Sequence, residues 1–175
     1  MTTIREAHAT DIGAIQNLYK ELDNHHVELL PDTFQAVEGD IRTDESIDNW
    51  IQADDRTYLV AVCNDQVIGF VSVAVKSYGS MPMYVPLRYG LIDNALVASG
   101  HRRGGIGAQL FDGAIAWLQA RGVDSAQVQV WNKNEEAMNF YAKRGFAPMY
   151  TRMQMPITDA QQGGSSEPLT RPAGL

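Results

Sequence analysis

A chain of 175 residues, 45% hydrophobic and 20% charged, has the size and balance of one soluble globular domain. A formal net charge of -7 argues against a dedicated nucleic-acid binder, which would show a basic face, and the single Cys63 excludes an internal disulfide framework. No apolar run reaches membrane-spanning length and the first residues, MTTIREAHATD, lack a signal-peptide core, so a cytoplasmic chain without nucleic-acid or membrane partners is expected.

Residues 3–7 read as a short first strand. Thr10 or Asp11 can cap a helix that carries Ile12, Ile15, Leu18, Tyr19 and Leu22 at helical spacing and fades near His25-His26. After an irregular stretch, Asp44–Ala53 reads as a second helix with Ile47, Trp50 and Ile51 on its apolar side. A hairpin follows: Thr57–Cys63 and Val67–Val75 are β-rich, and Asn64-Asp65 supplies the turn chemistry. Gly79, Pro82 and Pro86 punctuate Lys76–Gly90, which reads as one long loop carrying Met81, Met83, Tyr84 and Tyr89.

Leu91–Val97 is an apolar strand. Behind it, Gly104, Gly105 and Gly107 crowd a turn that opens a helix from Gly105 to Ala120, striped by Ile106, Leu110, Ala114 and Leu118. Glycine is used where the backbone takes positive φ or approaches a ligand, and the first amides of a helix attract anions. With Arg102 and Arg103 beside it, the turn reads as a phosphate site or as an ordinary basic surface turn. Ala126–Trp131 alternates as a strand, Asn134 can cap a helix running to Arg144, Gly145 suits the far end of that helix, and Phe146–Met155 reads as a last strand. The domain is expected to span 1–156, with 157–175 a flexible tail of small, polar and Pro residues. Interleaved helices and strands give an α/β or α+β fold around one sheet.

The ordered set Arg102-x-x-Gly105-x-Gly107 after a strand, then Asn134-x-x-Ala137-x-x-x-Tyr141, then Gly145-Phe146, resembles the GNAT family of N-acetyltransferases. The resemblance implies a mixed, mostly antiparallel sheet with splayed strands at 91–97 and 126–131 that hold acetyl-CoA as co-substrate. It implies that the pantetheine arm pairs with the backbone at Leu96 and Val97. The pyrophosphate would rest on Arg102, Arg103, Gly104, Gly105, Ile106, Gly107 and Ala108. Asn134 matches the family's cofactor-contacting asparagine, and its plainer role is a helix cap. Tyr141 matches the tyrosine set near the thioester sulfur, and its plainer role is a core aromatic.

Acetyl transfer to an amine requires the neutral amine. At an alkyl-amine pKa of about 10.4, roughly one molecule in a few thousand is neutral at pH 7. The resemblance supplies the main-chain N–H of Val97 for the oxyanion and Tyr141 as the acid for the departing thiolate. For the base, Asp93 stands where the family often has an acidic residue. Gln129 stands where some members carry glutamate, and it cannot take a proton. Glu21, His25 and His26 lie where the family builds its acceptor pocket. No metal-binding spacing is present, so no metal is assigned. The acceptor is expected to be a small-molecule or peptide amine, and a homodimer, common in the family, is a candidate assembly. The reading from another class is a catalytically silent CoA-binding sensor or interaction domain.

Overall fold

A computed structural model describes residues 1–39, 41–79 and 82–157. The described residues form five strands, β1 (Thr2–Glu6), β2 (Arg56–Cys63), β3 (Gln66–Tyr78), β4 (Leu87–Val97) and β5 (Ala126–Val128), with helices α1 (Ile12–Leu29), α2 (Asp44–Ile51), α3 (Ile106–Ala120) and α4 (Glu135–Ala142). They lie in one sheet of order β1-β2-β3-β4-β5, in which only the β4–β5 pair is parallel. The parallel pair follows from the crossover through α3, because two parallel neighbours cannot be joined by a tight turn.

Alternation along the strands gives the sheet two buried faces. On one, Leu59, Val71, Val73 and Ile92 pack against the α3 stripe of Ile106, Leu110, Ala114 and Leu118. On the other, Tyr58, Val60, Phe70 and Leu96 pack against Ile15, Leu18, Tyr19 and Leu22 of α1 and Ile47 of α2. Phe70 is fully buried, with the Tyr19 ring centroid 4.6 Å away. Asn64 and Asp65 both take positive φ, 48° and 59°, which suits a two-residue hairpin turn between twisted strands.

Several sequence expectations change. The first helix continues past His25-His26 to Leu29. Asp11 does not cap it with its carboxylate. That group instead accepts the His8 N–H at 2.8 Å and a two-pronged bond from Arg5 at 2.6 and 3.0 Å. The supposed loop 76–90 is strand at both ends, because Lys76, Ser77 and Tyr78 pair with Tyr89, Arg88 and Leu87 and extend β3 and β4 into it. Met81 and residues 158–175 of the expected tail lie outside the described residues. The fifth strand stops at Val128 instead of Trp131, since β4 turns away and offers no further partner. Residues 146–157 form no strand: Pro148 and Pro156 remove donors, and no ladder bond ties the segment to β5.

Two stability predictions follow from this packing. The hydrogen bonds from Arg5, and then the His8 amide, hold the Asp11 carboxyl below its ordinary value, against the opposing effect of burial. A depressed folded pKa stabilises the protein above the unfolded value near 3.8, and the gain disappears as pH falls through the folded value. Asp11→Asn is therefore expected to cost on the order of 2 kcal/mol at pH 7 in urea unfolding. The difference from wild type should narrow steadily below about pH 4. At Gly90, a Cβ would collide with the buried Leu118 side chain of α3. Gly90→Ala should destabilise by about 1–3 kcal/mol through overpacking, read as a lowered denaturant midpoint.

Candidate active site

The site begins with a fault in the β3–β4 ladder. Val73 pairs with Ile92 and Val71 with Ala95, so two residues, Asp93 and Asn94, stand opposite Ser72 alone. The Ser72 hydroxyl accepts the Asn94 N–H at 3.0 Å and holds the bulge in place. A bulge bends its strand. β4 and β5 accordingly pair only from Gly90 to Ile92 and from Ala126 to Val128. From Asp93 onward the two strands diverge and leave a gap between β4 and β5, the last strand of the sheet.

Past the gap, a turn at Ser99–His101 leads into the glycine segment. Arg103 takes φ of 64° and Gly105 takes φ of 79°, so the chain doubles back before entering α3. Gly105 is the residue at the helix start and offers no capping side chain. The first helical bond runs from the Gln109 N–H to the Gly105 carbonyl, 3.1 Å, leaving the amides of Ile106, Gly107 and Ala108 without intrahelical partners. A Cβ on Gly107 would lie 3.8 Å from Phe140 and 3.9 Å from Val97, so this residue sits where α3, α4 and the end of β4 meet.

A cleft of about 460 Å³ joins the gap to this turn. Leu96, Val97, Arg102, Arg103, Gly105, Ile106, Gly107, Ala108, Asn134 and Tyr141 all line it. Of the cofactor residues expected from sequence, Gly104 alone does not. Asn134 uses its side-chain oxygen to accept the Ala137 N–H at 3.0 Å and cap α4, which leaves its amide nitrogen as the group to offer a ligand. The Tyr141 ring is held edge-on by Phe111, Phe140 and Phe146, with centroids 6.4, 5.2 and 5.4 Å away. Burial raises the Tyr141 phenol above its ordinary value, against the opposing charge of Arg144, so it stays protonated at neutral pH.

Asp93 does not line this cleft. It is exposed in the bulge, its carboxylate accepts from Asn94 Nδ2 at 2.8 Å, and its charge adds to the burial that raises the Tyr58 phenol. Gln129 is exposed beyond the end of β5. Leu22 and His25 line the cleft from α1. One residue on, His26 stacks on Phe34 at 5.0 Å, and Phe34 meets Trp131 edge-on at 5.6 Å, tying the end of α1 to the segment after β5. Burial, then His25, keeps the His26 imidazole below its ordinary value. His101, Phe111, Glu136, Phe140 and Arg144 also line the cleft, though the sequence motif does not mark them. Phe140 and Arg144 stand four residues apart, at helical spacing, on either side of Tyr141 in the sequence, and that spacing is the available signal. Among the described residues, no group of three or more His, Cys, Asp or Glu could hold a metal ion, and no helix is long and apolar enough to cross a membrane.

A splayed parallel pair beside a glycine turn with open helix amides is the arrangement the sequence motif implied. The profile of the acetyltransferase (GNAT) family matches residues 20–146, and the chain belongs to that family. A streptothricin acetyltransferase of Streptomyces lavendulae is 30% identical over 95 residues, which is 54% of this chain and 46% of that protein. The chain thus matches less than half the length of the curated relatives. In fold it is similar to a mutant of the BH1408 protein of Bacillus halodurans (TM-score 0.83, 24% identity, 89% of this chain and 99% of that one). It is also similar to an aminoglycoside N-acetyltransferase in complex with CoA (TM-score 0.65, 16% identity, 90% and 95% covered).

Proposed function

We propose that the chain moves an acetyl group from acetyl-CoA to a primary amine by direct attack within a ternary complex. The observation that carries this is the cleft itself. It joins an unpaired strand edge at Val97, a helix start with open amides at Ile106–Ala108, and a protonated, aromatic-caged Tyr141. Pyrophosphate would rest on the amides of Gly105, Ile106, Gly107 and Ala108, in the positive end of the α3 dipole and beside the charge of Arg103. The pantetheine arm would run along the edge of β4 that β5 leaves unpaired.

With the thioester carbonyl at Val97, its N–H would stabilise the tetrahedral oxyanion. The amine nitrogen forms the new C–N bond and loses a proton. The C–S bond breaks, and Tyr141 donates to the departing thiolate. The amine's proton needs an acceptor. Asp93 is the strand's own carboxylate on the α1–α2 side. His25 is a second reading, favoured by its place in the cleft lining. A pH–rate profile separates them: the variant, Asp93→Asn or His25→Gln, that loses the acidic limb identifies the base.

The acceptor we propose is a small, multiply charged amine. A net charge of -7 suits a cationic partner, and two of the similar proteins are named for streptothricin and for aminoglycosides. Thiol release from acetyl-CoA over a panel of aminoglycosides, polyamines, amino acids and peptide N-termini tests the reading. Amine-dependent release is expected for at least one small cationic member. Tight CoA binding with no release from any amine would instead support a catalytically silent CoA sensor.

A further inference from the structure

Arg102 looks, from sequence, like a phosphate ligand, yet its guanidinium is engaged elsewhere. Nε donates to the Val97 carbonyl at 2.8 Å, and Nη2 donates to Glu21 Oε1 at 2.8 Å. The same Glu21 oxygen accepts the Ser99 N–H at 2.9 Å. Three bonds through one carboxylate oxygen and one guanidinium thus join α1, the end of β4 and the turn that leads to the anion site.

Strand alternation shows what this fixes. The Ala98 N–H donates to the Ile68 carbonyl at 2.9 Å, and Leu96 pairs with Phe70, so both turn their backbone groups toward β3. Val97, between them, must turn its N–H and its carbonyl the other way, into the gap. Its carbonyl is gripped by Arg102, and its N–H is the group proposed to meet the thioester oxygen. We infer that Glu21 and Arg102 are positioning residues: a clasp from α1 that sets the Val97 peptide edge for acetyl transfer, with Arg102 acting through Val97 rather than on phosphate. This rests on the acetyl-transfer reading above, and it adds a role for Glu21 that the glycine motif does not contain. It also explains why the fork matters: the guanidinium holds Nε and Nη2 in a fixed geometry, one on Val97 and one on Glu21, whereas a lysine ammonium carries its donors on a single rotatable atom.

The test pairs kinetics with a measurement that needs no cofactor. Glu21→Ala and Arg102→Ala should each lower kcat about tenfold or more, as expected when a reacting group is misplaced by a fraction of an ångström. The loss should be equal with acetyl-CoA and with acetyl-pantetheine, which has no phosphates, while the CoA dissociation constant moves far less. The double variant should be no slower than the slower single variant. Arg102→Lys should not rescue. Glu21→Gln should rescue in part, because its amide oxygen still accepts from Ser99. A raised CoA dissociation constant for Arg102→Ala, with acetyl-pantetheine turnover unchanged, would make Arg102 a phosphate ligand and overturn the clasp. In the cofactor-free protein, the Ser99 amide should exchange its hydrogen faster in Glu21→Ala than in wild type, and unchanged exchange would likewise overturn it. If the wild-type protein shows no turnover at all, the acetyl-transfer reading fails by itself, and Ser99 exchange still decides whether the clasp exists.

Discussion

Replacing Tyr141 by Phe should leave CoA binding near the wild-type value and reduce turnover by about a hundredfold. The substitution removes one oxygen and keeps the ring, and the ring is what Phe111, Phe140 and Phe146 hold edge-on. Packing is therefore preserved and the α4 wall of the cleft stays in place. What is lost is a phenol that burial keeps protonated, placed in the same cleft as Val97. A departing thiolate without a proton donor leaves more slowly, so kcat falls and the binding of CoA does not. Calorimetric titration with CoA beside steady-state thiol release separates the two effects. Equal turnover in the variant would return Tyr141 to the plainer role of a core aromatic.

Gly105→Val should act in the opposite sense, weakening cofactor binding by about tenfold while the chemistry at saturation changes little. Gly105 takes φ of 79° at the start of α3, a conformation that a β-branched residue adopts only with strain of roughly 1–2 kcal/mol or more. Relief of that strain must shift the turn, and the amides of Ile106, Gly107 and Ala108 move with it. Gly100→Ala is the matched control: no atom lies within 4 Å of a Cβ there and its φ is not in the left-handed region, so its KM for acetyl-CoA should match wild type. A normal KM for Gly105→Val would mean that the glycine turn does not carry the pyrophosphate.

These two residues lie in the part of the chain that reads most clearly as sequence. Local rules suffice there: Ile106, Leu110, Ala114 and Leu118 recur at helical spacing and are all buried, and Asn134 caps α4 as its chemistry suggests. Legibility fails where long-range pairing decides. Lys76, Ser77 and Tyr78 are polar or half-polar, yet pairing with Tyr89, Arg88 and Leu87 makes them strand. Conversely, Phe146–Met155 reads as a strand, but a strand is defined by its partner, and the Met149, Met153 and Met155 side chains all stay exposed. The bulge at Asp93-Asn94 leaves no local signature, since Ser72 sets it from 22 residues away. The engagement of Glu21 by Ser99 and Arg102 spans 78 and 81 residues and is equally invisible along the chain. The candidate site was therefore legible on its cofactor side, where turn and cap chemistry are local. It was poorly legible on its acceptor side, where α1 meets the end of β4 only through tertiary packing.

The central claim is that acetyl-CoA lies in the gap between β4 and β5, with its thioester at Val97 and its pyrophosphate on the start of α3. A crystal structure of the protein with CoA tests it most directly. The expected result is pyrophosphate oxygens within hydrogen-bond reach of the amides of Ile106, Gly107 and Ala108, and the CoA sulfur beside the Tyr141 hydroxyl. CoA seated outside the gap, or a sulfur remote from both Val97 and Tyr141, would contradict the account.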